Sequence, residues 1–319
     1  MASQGYATDD VQERPTAGMA GIDDEYCPHY FHPGARRLFA VLPFAERIPL
    51  FGEAARPYGP GRVGSLAIYY FFGKGIASNI MTYARQPLFM KRYSIDGTRY
   101  QRLSSISGMG WSIKAFTAML CDTLALCGYT KRWYMFGSAV LGAVFALVLG
   151  LLPAKESSAN IACAFVFLTS HSNANMDILS EGLYSRLMRR QPRAGAALVS
   201  SIWWFIMVGV IIAASIQGPL SDGGKAQIGI FVSAALLLLC GPIFLFNLYE
   251  ERPNRVERWE DALAIEAEVR MELGEDVSSE QARLRARLGK AHSLSNSDTE
   301  PISSQAKDMH PELGHTEQG

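Results

Sequence analysis

The distribution of apolar residues divides the chain into a polar beginning, an apolar middle and a polar end. Between about residue 62 and residue 250 the pattern predicts six helices, each near the roughly 20 residues that a bilayer core requires. They fall at 62–83, 104–127, 133–153, 159–180, 194–216 and 227–248. The third and sixth are strongly apolar, and the fifth contains the pair Trp203-Trp204. The first, second and fourth carry polar residues, a contrast that predicts some helices facing lipid and others lining something wet. The expected fold class is an all-α membrane protein, a six-transmembrane-helix bundle. It lies between a cytosolic N-terminal tail (1–61) and a cytosolic segment (251–319).

The flanks read differently. Residues 1–32 are polar, with Asp9-Asp10 and Asp23-Asp24 and no periodicity, as in a disordered tail. They lack a basic and apolar leader, so no secretory signal is expected and the first span directs insertion. In 33–60, short apolar clusters alternate with Arg36, Arg37, Arg47 and Arg56, and Pro43, Pro49, Pro57 and Pro60 interrupt any helix. That suits either a segment lying on the membrane surface or a packed linker. Beyond Glu250, 255–273 reads as a solvated charged helix with Glu266 and Arg270 paired, stopping at Gly274. A capping box at Ser278 and Gln281 opens a second short helix to about Leu288, and a disordered tail follows.

Only 19% of residues are charged, below the roughly 25% of soluble domains. The net charge of zero averages unlike regions. No basic stripe is present, so nucleic acid is not an expected partner. Loop lysines and arginines set orientation. With the N-terminus inside, cytosolic segments hold Arg36, Arg37, Arg47, Arg56, Lys131, Arg132, Arg186, Arg189, Arg190 and Arg193, against Lys155 and Lys225 outside. One loop resists, because Arg85, Lys91, Arg92, Arg99 and Arg102 then lie outside. The balance places both termini in the cytosol. Of five cysteines, Cys121, Cys127, Cys163 and Cys240 lie in apolar segments and read as small buried side chains; Cys27 does not. Gly137, Gly142, Gly209, Gly229 and Gly241 allow close helix packing, and Pro242 kinks the sixth helix.

Three helices carry polar stripes. On the first, Tyr70, Lys74 and Ser78 repeat every fourth residue, with Asn79 beside them. On the second, Lys114, Ala118 and Asp122 share a face, the two charges about 12 Å apart along the axis. On the fourth, Asn173, Asp177 and Glu181 follow the same spacing, extended by Ser170. Together they predict a bundle around a hydrophilic cavity, since intramembrane charges are costly unless paired or used. Lys114 is either the ion-pair partner of Asp177 or a ligand contact, and Lys74 is open to the same two readings. His171 is a proton relay or a histidine satisfied by Ser and Asn neighbours. Trp111 and Trp203-Trp204 suit stacking on a flat ring or simple filling and anchoring. Asp122 and Glu181, near the cytosolic helix ends, are placed to hold Lys131, Arg132 and Arg186 in a gate. No phosphate-cradling loop, HExxH or paired Cys/His set occurs. An enzyme is therefore not expected, nor any cofactor or metal site.

Asp122 followed by Gly128-Tyr129-Thr130-Lys131-Arg132 is similar to the acid, glycine and basic-pair signature between helices two and three of major facilitator transporters. The fuller stretch GWSIKAFTAMLCDTLALCGYTKRWYMF resembles the folate–biopterin transporter family of that superfamily, particularly its protozoan branch. ARQPLFMKRYSIDGTRYQRLSSIS (84–107), Asn175-Met176-Asp177-Ile178-Leu179-Ser180-Glu181-Gly182 continuing through Tyr184-Ser185-Arg186-Leu187-Met188, and SSIWWFIM (200–207) agree. The resemblance covers roughly 35–255 and absorbs the basic loop after the first helix as a family feature.

The resemblance implies a proton-linked importer of folates or unconjugated pterins at the plasma membrane. Its substrate-binding residues would be Lys74, Asn79, Trp111, Lys114, Asn173 and Asp177. Its gating residues would be Asp122, Gly128, Tyr129, Lys131, Arg132, Glu181 and Arg186. Family members have about twelve helices in two halves that rock around a shared site, and six are expected here. The opposite wall would come from a second copy or a separate C-terminal half. The alternative is a truncated, non-transporting paralogue or fragment acting as a membrane interaction partner.

Overall fold

The structure, a computed structural model, describes residues 31–48, 50–190, 192–258 and 262. All belong to one compact unit, Glu25–Ala264. Of the expected helix at 255–273 only 255–258, which are helical, and Ala262 are described; the helix at 278–288, the C-terminal tail, and the N-terminal tail apart from Phe31 and His32 lie outside the described residues. Among the described residues the chain is helical without strands, its one bridge pairing Leu126 with Tyr129.

Three short helices come first, α1 (Pro33–Val41), α2 (Pro43–Glu46) and α3 (Phe51–Tyr58). A continuous helical rod follows: α4 (Pro60–Ile68), a π-helical stretch Tyr69–Ser78, α5 (Asn79–Pro87) and a π turn Leu88–Arg92. Next come α6 (Gly97–Gly108), a 3-10 turn Met109–Trp111 and α7 (Lys114–Thr123). The long helices are α8 (Arg132–Leu151), α9 (Ala159–Arg190), α10 (Gly195–Asp222) and α11 (Ala226–Leu245). By length and composition α8, α10 and α11 can cross a membrane. Of the three polar candidates, 62–83 falls within the first rod and 159–180 within α9. The candidate at 104–127 is not one helix. It breaks at 109–113, where two glycines flank Met109, and its end from Leu124 is a turn.

Small residues set the packing. Gly75 on the π stretch meets Gly209 on α10 so closely that a Cβ on Gly209 would stand 2.7 Å from the Gly75 Cα. α8 and α11 cross at Gly142, where a Cβ would press Ser172 of α9 at 3.0 Å and lie 3.6 Å from Leu237 of α11. The main core cluster joins Tyr58, Leu66, Tyr69 and Tyr70 to Met135, Met176, Leu198, Ile206, Leu237 and Phe244. Cys121, Cys163 and Cys240 are buried, while Cys127 is exposed in the turn.

The basic loop that resists the charge rule has a local use. At that end of the bundle, Arg92 donates to the carbonyl of Leu152, the C-cap of α8, at 2.8 Å. Lys91 donates to Ser221 O near the end of α10 at 2.9 Å. Arg99 reaches Glu156 and Asn160 before and within α9. Cations meeting unsatisfied carbonyls at helix C-termini satisfy both the hydrogen-bond deficit and the dipole.

Residues 33–60 form their own small core of Ala35, Phe39, Ala45 and Ala55, with Phe31, Leu38 and Phe51 against it. We expect Gly209→Val to force the π stretch and α10 apart and destabilise the fold by about 1–3 kcal/mol. Gly137→Ala, where an added Cβ meets nothing, should instead raise the melting temperature of the solubilised chain slightly, since alanine in a helix interior is favoured over glycine by roughly 0.5–1 kcal/mol.

Candidate functional site

Asp177 sits at mid-length on α9, a helix of 32 residues whose Ser170, Asn173, Asp177 and Glu181 share one face. Its carboxylate is 2% exposed and faces two ammonium groups. Lys74 Nζ donates to Oδ1 at 2.6 Å, and Lys114 Nζ lies 3.5 Å from Oδ2. Lys114 is also 3.9 Å from Glu181 Oε2. The lysine side chains keep 23% and 28% of their surface exposed. The centre thus opens on one side.

Each lysine is delivered by a departure from the α-helix. Lys74 lies in the π-helical stretch, whose wider turns free backbone carbonyls from the usual ladder. The Asn79 amide donates to the carbonyls of Lys74 and Gly75 at 2.9 Å each, and Ser233 Oγ to Ala77 O at 2.8 Å. Asn79, expected to touch substrate, therefore holds the backbone that carries Lys74. Lys114 is the first residue of α7, directly after the 109–113 break. A cation at a helix N-terminus opposes the dipole, so Asp177 and Glu181 offset an unfavourable field as well as a charge.

The break exists because α9 passes close by. A Cβ on Gly110 would lie 2.9 Å from His171 N and from Phe167 O. His171 engages both ring nitrogens, Nδ1 with Gly110 O at 3.2 Å and Nε2 with the Asn175 amide at 3.3 Å. That is the geometry of a satisfied histidine. Trp111 ends the 3-10 turn, with Lys114 Nζ 5.3 Å and Lys74 Nζ 5.9 Å from its ring centroid. Lys74 also lies 5.6 Å from the Tyr70 ring. Asn173 is buried one turn before Asp177.

The remaining site residues gather at the other end of α9. The turn after α7 has Gly128 at φ +82, a left-handed conformation that glycine adopts without strain, and its carbonyl accepts from Asn254 N at 2.8 Å. Lys131 is buried and reaches Asp122 Oδ1 at 3.2 Å. The Arg132 guanidinium lies 5.1 Å from the Tyr129 ring and donates to the carbonyl of Leu245 at the end of α11. Glu251 closes this end. Its carboxylate accepts from Lys131 N and Arg132 N at 2.8 Å, Thr130 Oγ1 at 3.1 Å and Tyr249 Oη at 2.9 Å, capping α8. Arg186 pairs with Glu257, and Arg62 with Glu250 at 3.1 Å. Glu181, expected to hold Arg186, instead stands beside Lys114.

Glu257 falls in the stretch 255–273 expected to be a solvated helix, yet it is buried, as is Glu251 just before it. Burial lifts the Glu257 carboxyl above the usual range despite the opposing Arg186. The Tyr249 hydroxyl is raised by burial first and the Glu251 charge second. The signal available was an acidic run directly after the last apolar helix, facing inside segments rich in arginine. A cavity of about 30 Å³ lies in this end, and a cleft of about 600 Å³ between Tyr83, Met90 and Lys91 and Gln217, Ser221 and Asp222 at the other. Neither includes Lys74, Lys114 or Asp177.

Paired charges held among apolar helices, with tryptophan against both cations, define a helical membrane protein with a polar centre inside its bundle. The chain belongs to the BT1 family, whose profile matches residues 74–296. The probable folate-biopterin transporter 4 of Arabidopsis thaliana is 25% identical over 153 residues, 48% of this chain and 31% of that protein. The folate-biopterin transporter of Synechocystis sp. is 28% identical over 150 residues, 46% of this chain and 30% of that protein. The chain thus spans less than a third of the length of these curated relatives. No solved structure matches it.

Asp177→Ala removes the buried partner of Lys74 and leaves Lys114 only Glu181. Because both lysines are partly exposed, stability is expected to fall by roughly 1–3 kcal/mol, below the cost of breaking a fully buried pair, read as a fall in melting temperature. Glu251→Ala removes the acceptor of two backbone amides. Hydrogen exchange should accelerate at 124–132 while the middle of α8 stays protected.

Proposed function

We propose that this chain forms one six-helix half of a major facilitator-type carrier for folates or unconjugated pterins, working by alternating access. The observation that carries the reading is the buried Asp177 carboxylate shared by two partly exposed lysines beside Trp111. A structural ion pair needs one lysine. The second cation and the indole add an aromatic, positive surface on the open side, reinforced by the N-terminus of α7. A flat pterin stacks on Trp111 and hydrogen-bonds at Asp177 and Asn173. The dianionic tail of a folate finds Lys74 and Lys114. Similarity to folate-biopterin transporters supports the substrate class.

Proton coupling fits the same cluster, because neutralising either carboxylate frees a lysine for a substrate anion. Asp122, Gly128, Tyr129, Lys131, Arg132 and Arg186, with Glu251 and Glu257, form the cytosolic closure, and Glu181 links it to the centre. Six passes are supported by charged contacts that gather at two ends of the bundle. The polar stripes explain why three passes are less apolar than α8, α10 and α11. Both termini lie in the cytosol, at the plasma membrane. The open side of the site is completed by a second copy or a separate C-terminal half. A non-transporting interaction partner or a fragment is the second reading, favoured by that same open side.

Cells deficient in folate and pterin uptake, expressing this chain alone, should accumulate labelled folate or biopterin if two copies suffice. Accumulation no higher than vector removes the two-copy form. Placed in a complete carrier, Lys114→Ala should weaken substrate binding, whereas Asp122→Asn should leave binding and block turnover. Equal loss of binding in both contradicts that division.

A further inference from the structure

We propose that α1 and α2 form a lipid-docking foot that presses a ridge of apolar side chains into the anionic cytosolic leaflet. Val41 and Phe44 are 76% and 63% exposed, and Leu42 and Ile48 beside them are exposed as well. Val41, Leu42 and Phe44 fall at the junction of the two short helices and Ile48 just beyond α2, outside the small core that Ala35, Phe39, Ala45 and Ala55 bury. Arg36, Arg37 and Arg47 flank the ridge and are exposed. The acids of this region offset them little, since Glu46 is held by Arg56 at 2.8 Å and only Glu53 is added on α3. An apolar edge rimmed by arginines matches the boundary between acyl chains and anionic headgroups.

The fold sets the depth of this ridge. α10 has 28 residues, about 42 Å of helix, against a hydrocarbon core of about 30 Å. Its exposed Trp203-Trp204 pair marks one interface, where indoles concentrate, so the first two turns of α10 stand at headgroup level. Ala54 and Tyr58 of α3 share a core cluster with Leu198 and Ile202 in those turns. Phe51 packs against both that cluster and the small core of α1 and α2. The foot is therefore fastened to the bundle at the level of the headgroups. A soluble protein partner would leave the arginine rim and the fixed depth without a purpose.

The test uses the full chain, with Cys27 and Cys127 replaced by serine, in nanodiscs holding one copy each. Val41→Cys, Phe44→Cys and a reference Arg36→Cys are reacted with a charged, membrane-impermeant maleimide. In discs containing phosphatidylglycerol, the ridge cysteines should react about tenfold more slowly than the reference. Combining them with Arg37→Gln and Arg47→Gln should restore part of the lost reactivity, as should neutral phosphatidylcholine discs, because the bundle sets the depth and the charges draw the ridge in. Ridge rates within about twofold of the reference would overturn the proposal. So would protection that persists unchanged without the arginines and in neutral lipid, which would mean cover by something other than an anionic surface. Reaction in detergent-unfolded protein, equal at all three positions once that of the parent chain with Cys121, Cys163 and Cys240 is subtracted, verifies that the introduced thiols are intact.

Discussion

A carboxylate buried among apolar helices must meet opposite charge, and Asp177 meets it twice. The rest of the centre follows from that demand. Lys74 reaches Asp177 from a π-helical stretch held by Asn79 and Ser233. Lys114 reaches it from the first residue of a helix restarted after the Gly110 contact with α9. Both distortions are costly in isolation, and both persist because they bring a cation to the same carboxylate. The two helices that carry the lysines thereby bind to α9 through charge rather than through apolar packing alone. Trp111 lies against both cations, so the surface that faces the open side is cationic and aromatic together.

The two ends of the bundle apply the same physics to helix termini. Unsatisfied carbonyls at the ends of α8, α10 and α11 receive Arg92, Lys91 and Arg132. The unsatisfied amides at the start of α8 receive Glu251. The segment after α11 is therefore part of the fold, bound to the turn at 124–132 and to α9 through Glu251 and Glu257. Glu181, one turn beyond Asp177 on α9, stands 3.9 Å from Lys114 and so belongs to the charged centre.

Much of the helical plan was legible in the sequence. Apolar runs located α8, α10 and α11, and the four-residue spacing put Asp177 on the inner face of α9. The polar stripes carry Lys74 and Lys114 at helical spacing. Local geometry was not legible. A run of apolar residues cannot tell a continuous helix from one broken by a 3-10 turn, and the reason for the break at 109–113 lies on α9, some sixty positions away. The backbone contacts of Asn79, whose amide donates to the carbonyls of Lys74 and Gly75, come from the π stretch and have no signature in helical spacing. Glu251 and Glu257 were hidden by composition, since a charged stretch looks solvated until its partners are known. Of the two readings of 33–60, packing is seen in the small core of Ala35, Phe39, Ala45 and Ala55, and the membrane-surface reading is the proposal made for α1 and α2.

The central claim is that the Lys74–Asp177–Lys114 centre and Trp111 receive the ligand. Tryptophan fluorescence of the chain in nanodiscs, titrated with folate and with biopterin, tests it most directly. The account predicts saturable quenching that disappears in Trp111→Phe and weakens in Lys114→Ala. Quenching that is absent from the parent chain, or that survives unchanged in Trp111→Phe, would contradict it.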